Sequence, residues 1–356
     1  MQIFKKNHLF FIQKRQKLTL LGCFLLLIMS AGCQFMGGDN LPDVSDVPID
    51  LQIKRFDKEL FSIDTSQLQV ESAKLIEKYP DFFPFFHETL MAWNQPATTF
   101  MLNDSALTNF ITNPDIRMVY DEVQKVYPNN DFLNNELTQA FKYYSHYFPD
   151  KPIPEIITYI STFNQQGFTL GDNQLGLGLD MHLGQNYELY LSTGYPYYIT
   201  REFAPEYLAC HAMKLLASNS YPQDLKRKRL LDEMVYQGKM LYFLDLVLPE
   251  THDSIKLGYT GKQERWCRNN EEQIWGFFIE KKLLYESEVS KYDSFTSPGP
   301  TSMGMPPSSP GNIGAWIGLQ IIRKWVKENP DIPFEELVAI TDGQVLLKEA
   351  RYKPQK

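Results

Sequence analysis

The hydrophobic periodicity of the chain changes in its middle, and this change limits the possible fold classes. Residues 153–163 (IPEIITYISTF) are β-branched and aromatic, and residues 174–184 (QLGLGLDMHLG) alternate leucine with glycine. Both patterns predict strands, and residues 187–192 predict a third short strand. Helix-type spacing precedes and follows this segment. We therefore expect an α+β domain, mostly helical, with a small mixed or antiparallel sheet, and no alternation of strands with helices.

Helix-type spacing of apolar residues fills most of the remaining chain. Asn113 and Pro114 begin one such segment, where an asparagine cap and a proline at the first helical position are favourable. A short alternation at residues 51–57 predicts one more strand. The expected helices cover residues 70–80, 104–113, 113–128, 130–149, 201–217, 223–247, 262–285, 312–328 and 334–350.

A segment rich in proline and glycine, residues 294–311, interrupts the last group of helices. Proline lacks a backbone donor and is excluded from helix interiors and central strands, so we expect an irregular loop. A loop of this length inside a domain is usually functional or mobile, and a passive surface loop is the alternative.

The first 32 residues have the composition of an export signal. A basic stretch is followed by an uncharged apolar stretch at residues 18–29. About twelve helical residues rise only about 18 Å, too little to cross a bilayer core of about 30 Å. Residues 1–32 are therefore interpreted as a cleaved signal peptide, and a retained signal anchor is the alternative.

Cys33 follows three small residues, Ser30, Ala31 and Gly32. This ending resembles a bacterial lipobox, although Ser30 stands where leucine is usual. The resemblance implies cleavage before Cys33 and attachment of diacylglycerol to its thiol. Residues 33–48 are rich in Gly, Asp and Pro and predict a flexible tether, so residues 49–356 would form a single folded domain.

The charge of the chain argues against nucleic acid as a partner. The formal net charge is −8, and it becomes −13 without the first 32 residues, which hold five bases and no acid. A protein this acidic repels nucleic acid and anionic lipid surfaces through its overall field.

Sequence motifs of well-known catalytic sites are missing. The chain has neither a His-Glu-x-x-His zinc helix nor a Gly-x-Ser-x-Gly nucleophile elbow. The glycines of residues 174–184 have neither dinucleotide nor P-loop spacing. Cys210 and His211 are adjacent, so on a helix their side chains diverge and do not form a catalytic pair. Cys210 and Cys267 either pair in an oxidising envelope or remain two buried free thiols.

Four segments, taken in order after the lipobox, resemble the gliding-motility lipoprotein GldB family. The resemblance covers nearly the full mature chain. It implies an envelope lipoprotein that is required for surface gliding and is associated with the type IX secretion and motility apparatus. The segments are IKRFDKELF (residues 53–61), YPDFFPFF (79–86), LGLGLDMHLG (175–184) and GNIGAWIGLQII (311–322).

The family in turn resembles zincin-like metallopeptidase domains, in which a His-Glu-x-x-His helix precedes a Glu-Gly-x-Ala helix, a proline-rich loop and a glycine-rich helix. On this resemblance Pro205 and Ala209 replace the two histidines, Glu206 stands at the general base, and Gln237 replaces the third ligand. Proline and alanine have no donor for zinc, and an amide is a weak, neutral substitute for a carboxylate. A shifted register that recruits His211 is the alternative.

We therefore expect a noncatalytic protein- or peptide-binding component that faces the periplasm, without metal or other cofactor. Its partners would be the membrane, through the lipid on Cys33, and gliding or type IX secretion proteins. An active envelope metal-dependent hydrolase with an atypical site is one alternative. A scaffold whose helices serve only assembly is another.

The expected cleft lies over the relict metal helix and is roofed by residues 294–311. An edge strand at residues 175–182 would add an extended peptide to the sheet. Glu206 and Gln237 are the relict catalytic candidates. The candidate cleft residues are Leu179, Asp180, His182, Glu206, His211 and Gln237.

Overall fold

The computed structural model describes residues 41–93, 105–224, 226 and 229–354. The chain divides after Asp43, and the larger unit, Val44–Lys356, is compact and holds every helix and strand described below. The predicted signal peptide, Cys33 and the first part of the predicted tether lie outside the described residues. No helix in the described part of the chain is long and apolar enough to span a bilayer.

A four-stranded mixed sheet lies in the first half of the larger unit. Its order is β1 (Ile53–Arg55), β2 (Glu155–Tyr159), β4 (Gln174–Gly178) and β3 (Gly167–Leu170). β1 and β2 are parallel, as are β2 and β4, and β3 is antiparallel to β4. The prediction of a mostly helical α+β domain with a small mixed sheet is confirmed.

The α-helices follow the predicted segments closely at some places and less closely at others. Asn113 caps its helix as predicted, because its side chain accepts from the backbone N–H of Asp115 at 2.8 Å and Pro114 is the first helical residue. The predicted helices at residues 262–285 and 334–350 are each divided into two. The helices are α1 (Phe56–Phe61), α2 (Leu68–Lys78), α3 (Phe82–Phe85), α4 (Ser105–Thr112), α5 (Pro114–Val126), α6 (Asp131–Tyr147), α7 (Glu188–Ser192), α8 (Tyr197–Thr200), α9 (Leu208–Ser220), α10 (Leu230–Val247), α11 (Asp253–Leu257), α12 (Gly261–Asn269), α13 (Glu271–Glu280), α14 (Val289–Thr296), α15 (Ile313–Glu328), α16 (Phe334–Ala339) and α17 (Gly343–Ala350).

The third predicted strand is wrong, because residues 187–192 contain the short helix α7. A run this short does not distinguish a strand from a buried helical turn. Tertiary contacts favour the helix: Tyr190 is fully buried, and its hydroxyl donates to the Asp180 carbonyl at 2.6 Å. The strand that pairs with β4 on its outer side is β3, which the sequence did not predict.

Two of the segments that resemble the GldB family meet in the core beside β1. The ring of Phe56 packs edge-on against Tyr79, Phe82 and Phe86, with centroid separations of 5.0–5.2 Å. Aromatic pairs prefer this geometry, since the positive edge of one ring faces the negative face of the other. The aromatic residues of the first two segments are therefore a packing unit of the fold.

Helices α10 and α15 approach each other so closely that their backbones touch at glycines. A Cβ on Gly318 would overlap the Met234 carbonyl, and a Cβ on Gly238 would overlap the backbone of Gly318. Only glycine permits this approach. The glycine-rich segment at residues 311–322 is thus explained by helix packing.

The proline-rich segment is irregular after its first residues, which belong to α14. The loop closes on itself: the Gly311 N–H donates to the Gly299 carbonyl at 3.2 Å, and the Ser302 hydroxyl donates to the Pro310 carbonyl at 3.0 Å. Ser302 and Ser309 are buried. The predicted loop is therefore irregular but well packed.

Cys210 and Cys267 are both buried free thiols. Burial raises the pKa of each thiol above its usual range. The sequence left open a disulfide or two buried free thiols, and the structure has two free thiols.

Candidate functional site

The turn that follows β4 places a carboxyl group in the interior of the protein. Asp180 is completely buried in a 3-10 turn, Leu179–Met181. Its Oδ2 accepts the backbone N–H groups of Ser161 and Phe163 at 3.1 and 2.7 Å, whereas its Oδ1 has no hydrogen-bond partner in the described part of the chain. Burial raises the pKa of Asp180 to about 7, against the opposing effect of those N–H groups.

His182 and His211 form a hydrogen-bonded pair behind this turn. Nδ1 of His182 lies 3.0 Å from the Gly178 carbonyl oxygen. Since a carbonyl only accepts, Nδ1 carries the proton and Nε2 of the neutral ring is an acceptor. Nδ1 of His211 lies 2.9 Å from that Nε2 and donates to it. The contacts fix the tautomer of both rings, and burial lowers the pKa of His182 to about 3.

The outer nitrogen of His211 faces a carboxylate. Its Nε2 lies 3.5 Å from Oε2 of Glu202. Burial lowers the pKa of His211 more than Glu202 raises it. Burial raises the pKa of Glu202, but the contact with His211 and the positive charge of Lys214 outweigh this effect and hold that pKa below its usual range. Because Nδ1 of His211 already donates to His182, Nε2 can donate to Glu202 only when the ring is protonated, so this contact is the least satisfied in the cluster while His211 is neutral.

His211 borders an open cavity of about 330 Å³, which we call the hairpin cavity. It lies between the turn that joins β2 to β3 and the side of α9. Amide, apolar and cationic side chains are all present. The lining includes Gln165, Gln166, Tyr195, Phe203, His211 and Lys214.

A second cavity of about 190 Å³, which we call the helix cavity, lies between α9, α10 and the start of α15. Lys214 lines this cavity as well as the hairpin cavity. We refer to the two cavities together as the α9 groove. The lining of the helix cavity includes Lys214, Ser218, Gln237, Met240, Lys256 and Asn312.

The predicted cleft residues occupy three different settings. Leu179, Asp180 and His182 are completely buried. Glu206 is exposed and lines neither cavity. His211 lines the hairpin cavity and Gln237 lines the helix cavity. The structure therefore brings His182 and His211 together, and it separates the two relict candidates.

The residues at the expected metal positions do not fit a zinc ion. Pro205 begins a 3-10 turn before α9, and neither it nor Ala209 has a donor atom. The Gln237 amide nitrogen donates to Glu233 at 2.9 Å and to the Thr296 carbonyl at 2.8 Å. Within residues 41–93, 105–224, 226 and 229–354, no three His, Cys, Asp or Glu side chains are placed to hold a metal.

Two expectations about the walls of the cleft need correction. The segment at residues 175–182 is not an edge strand, because β4 pairs with β2 on one side and with β3 on the other. It cannot receive an added strand. The proline-rich loop does not line either cavity at residues 294–311, and Asn312, directly after it, lines the helix cavity.

No motif or spacing in the sequence selected Lys214, Glu202 or Asn312. Lys214 is the one charged residue of α9, Leu208–Ser220, and this isolation is a signal that could have indicated it. Glu202 lies nine residues before His211, outside the helix, and no periodicity connects them. Asn312 comes from a distant part of the chain.

Comparison with known protein families places the chain in one of them. The model of the family described as gliding motility protein GldB matches residues 38–354. No curated protein and no solved structure shows significant similarity to the chain.

Proposed function

The chain belongs to the gliding motility protein GldB family, a family of lipoproteins, and on that premise we propose that it binds a peptide segment of a partner protein in the α9 groove. The binding is noncatalytic and serves assembly or control of the motility apparatus. The partner is a gliding or type IX secretion protein of the envelope.

The observation that carries this proposal is that one side chain, Lys214, lines both cavities. The two cavities therefore share one wall residue on α9, and a peptide that passes Lys214 would occupy both. The half-buried amide of Gln166 suits peptide backbone groups, and the half-buried ring of Tyr195 suits apolar side chains. A small-molecule site usually encloses most of the surface of its ligand, and these half-open cavities do not.

The noncatalytic role rests on the donor atoms. Without ligands at Pro205 and Ala209 there is no metal-activated water, and an exposed Glu206 has no such water to deprotonate. We propose that the zincin-like arrangement of α9 and α10 is retained as a scaffold for binding.

We propose that diacylglycerol on Cys33 anchors the protein to a membrane with the folded unit in the periplasm. Cys33→Ser is expected to abolish incorporation of labelled fatty acid and to stop gliding, while the soluble unit remains folded. If the variant still carries label, the lipobox interpretation is wrong.

Site-specific photo-cross-linking in gliding cells tests the binding proposal. A photoreactive amino acid at Leu215, which lines the hairpin cavity, is expected to capture a discrete envelope protein. The matched control is Val345, an exposed apolar residue of α17 that lines neither cavity. The same substitution at Met303 examines the exposed face of the proline-rich loop.

A product at Leu215 that is absent at Val345 supports the groove. Products at Met303 or Val345 alone would favour a scaffold that uses its outer surface. No product from Leu215 in cells that still glide with that variant contradicts the proposal.

The alternative is a metal-dependent envelope hydrolase, and the unsatisfied contact between His211 and Glu202 favours it. Elemental analysis of the soluble unit, purified without chelator, separates the two. We expect less than about a tenth of an equivalent of zinc, with no tight binding at neutral pH. About one equivalent, lost on His211→Ala, would replace the binding proposal with a hydrolase.

A further inference from the structure

Lys214 is a half-buried cation without an ion-pair partner in the described part of the chain. Its charge acts on Glu202 and His211, but Glu202 makes its close contact with His211. A lysine at the wall of a cavity loses hydration and gains most from a direct anionic partner.

The other lysine of the helix cavity is already neutralised. Lys256 is buried, and its ammonium group lies 2.8 Å from Oδ1 of Asp245. Asp245 also pairs with Arg323 at 2.7 Å. The positive charge available to a ligand in this cavity therefore belongs to Lys214.

Two amide oxygens beside the same cavity have no donor among the described residues. Asn312 Oδ1 is buried and has no hydrogen-bond partner in the described residues. Gln237 uses its amide nitrogen for Glu233 and Thr296, so its Oε1 is left to accept. An unsatisfied buried acceptor costs free energy until a donor reaches it.

The N-terminal end of α15 adds a positive electrostatic potential at the helix cavity. Asn312 is the N-cap residue of this helix, and its first turn holds no acidic side chain. The positive end of the helix dipole at that point stabilises a negative charge nearby.

We propose that the helix cavity is a subsite for a carboxylate of the bound peptide, with Lys214 as its counter-ion. The amide oxygen of Gln237 accepts a backbone N–H group of the same segment. This inference rests on the peptide-binding function proposed above, and it specifies the ligand as an acidic peptide. The carboxylate comes from a glutamate or aspartate side chain or from a free C-terminus.

A paired peptide array tests this subsite. Immobilised nonapeptides of randomised sequence carry Glu or Gln at the central position, and a second set ends in a carboxylate or a carboxamide. The probe protein is the fluorescently labelled chain without its lipid, compared as wild type, Lys214→Met, Lys214→Arg and Lys348→Met. Lys348 is an exposed lysine of α17 that lines neither cavity and serves as the matched control.

We expect wild type to bind members with a carboxylate about tenfold better than their neutral pairs, as for a charge-assisted hydrogen bond. Lys214→Met removes this preference, and Lys214→Arg and Lys348→Met keep it. A preference confined to the central position assigns the subsite to an acidic side chain, and one confined to the terminal set assigns it to a C-terminus.

Binding without discrimination between acid and amide, or a preference that survives Lys214→Met, overturns the carboxylate subsite and leaves peptide binding intact. Absence of binding to every member, together with no cross-link from Leu215, overturns both proposals.

Discussion

Asp57 and Asp180 are the two completely buried aspartates among the described residues, and their surroundings differ in kind. Asp57, in α1, accepts from Arg55 at 2.9 and 2.7 Å and from Thr158 at 2.5 Å, with Gln124 at 3.0 Å. Asp180, after β4, has two backbone N–H donors and no cation at salt-bridge distance in the described residues.

The difference separates a structural carboxylate from a titratable one. Asp57 ties β1, α1, β2 and α5 together with its charge matched and its oxygens satisfied. Asp180 is held without a counter-charge, close in sequence to the histidine pair beside the groove. A buried charge whose partners are all present indicates a structural role. A buried carboxyl group with an unbonded oxygen and no counter-charge indicates a group that can change its protonation state.

The largest expected change in the free energy of unfolding comes from replacing Asp57. Asp57→Ala leaves the buried Arg55 without its carboxylate and is expected to lower the free energy of unfolding by about 3–5 kcal/mol. Urea denaturation followed by circular dichroism measures it. The double variant Arg55→Met with Asp57→Leu should recover much of the loss, and a loss as large as in the single variant would contradict this account.

The second prediction concerns pH. The pKa of Asp180 is about 7 in the folded protein, and an unfolded aspartate titrates near 4, so between these values only the folded form holds the proton. Its contribution to stability is complete below about pH 4 and is lost as pH rises through about 7. Each pH unit in this window costs about 1.4 kcal/mol.

Asp180→Asn keeps an acceptor for the N–H groups of Ser161 and Phe163 but cannot titrate. It should therefore reduce the change of the free energy of unfolding with pH. Denaturation at pH 5 and pH 8 compares it with wild type and with Asp331→Asn, an exposed control. Equal slopes in all three proteins would mean that Asp180 does not hold a proton.

The third prediction concerns the close contact between α10 and α15, which form part of the wall of the helix cavity. Gly318→Ala pushes α15 away from Met234 and is expected to cost about 1–3 kcal/mol. Gly276→Ala, in α13, meets no atom within 4 Å and should be neutral or stabilise by up to about 1 kcal/mol. Thermal unfolding of the pair gives the comparison, and equal shifts would show that α10 and α15 can separate without cost.

The smallest expected effect on stability is at the groove itself. Lys214→Met removes a half-buried side chain that has no ion pair among the described residues, so the change should lie within about 0.5 kcal/mol. Denaturation under the conditions used for Asp57→Ala provides the measurement. A loss of several kcal/mol would place Lys214 with Asp57 as a structural residue.

Several parts of the fold followed from local patterns. The Asn113 cap and the strands at β2 and β4 follow from local chemistry or periodicity, which act within a few residues. The strand expected at residues 187–192 failed because the buried contacts of Tyr190 outweighed a weak alternation. β3 went unpredicted because four residues carry too little pattern to identify a strand.

The site was predicted less well than the fold. His182 and His211 were selected separately, and only the packing of α9 against the end of β4 brings their rings within 2.9 Å. Gln237 was selected for a metal position, and its amide in fact bridges α10 to the end of α14. Spacing along the chain does not give the rotation of one helix against another.

Patterns along the chain are enough to establish the α+β class, the position of the sheet between two groups of helices, and the resemblance to a gliding-motility family. These depend on periodicity and on the order of segments. Only the folded arrangement shows that β4 is an inner strand, that the two cysteines stay apart, and that Lys214 lies between two cavities without an ion pair among the described residues. Each of these depends on which distant segments meet, because contacts between such segments set the burial and the ion pairing of a side chain.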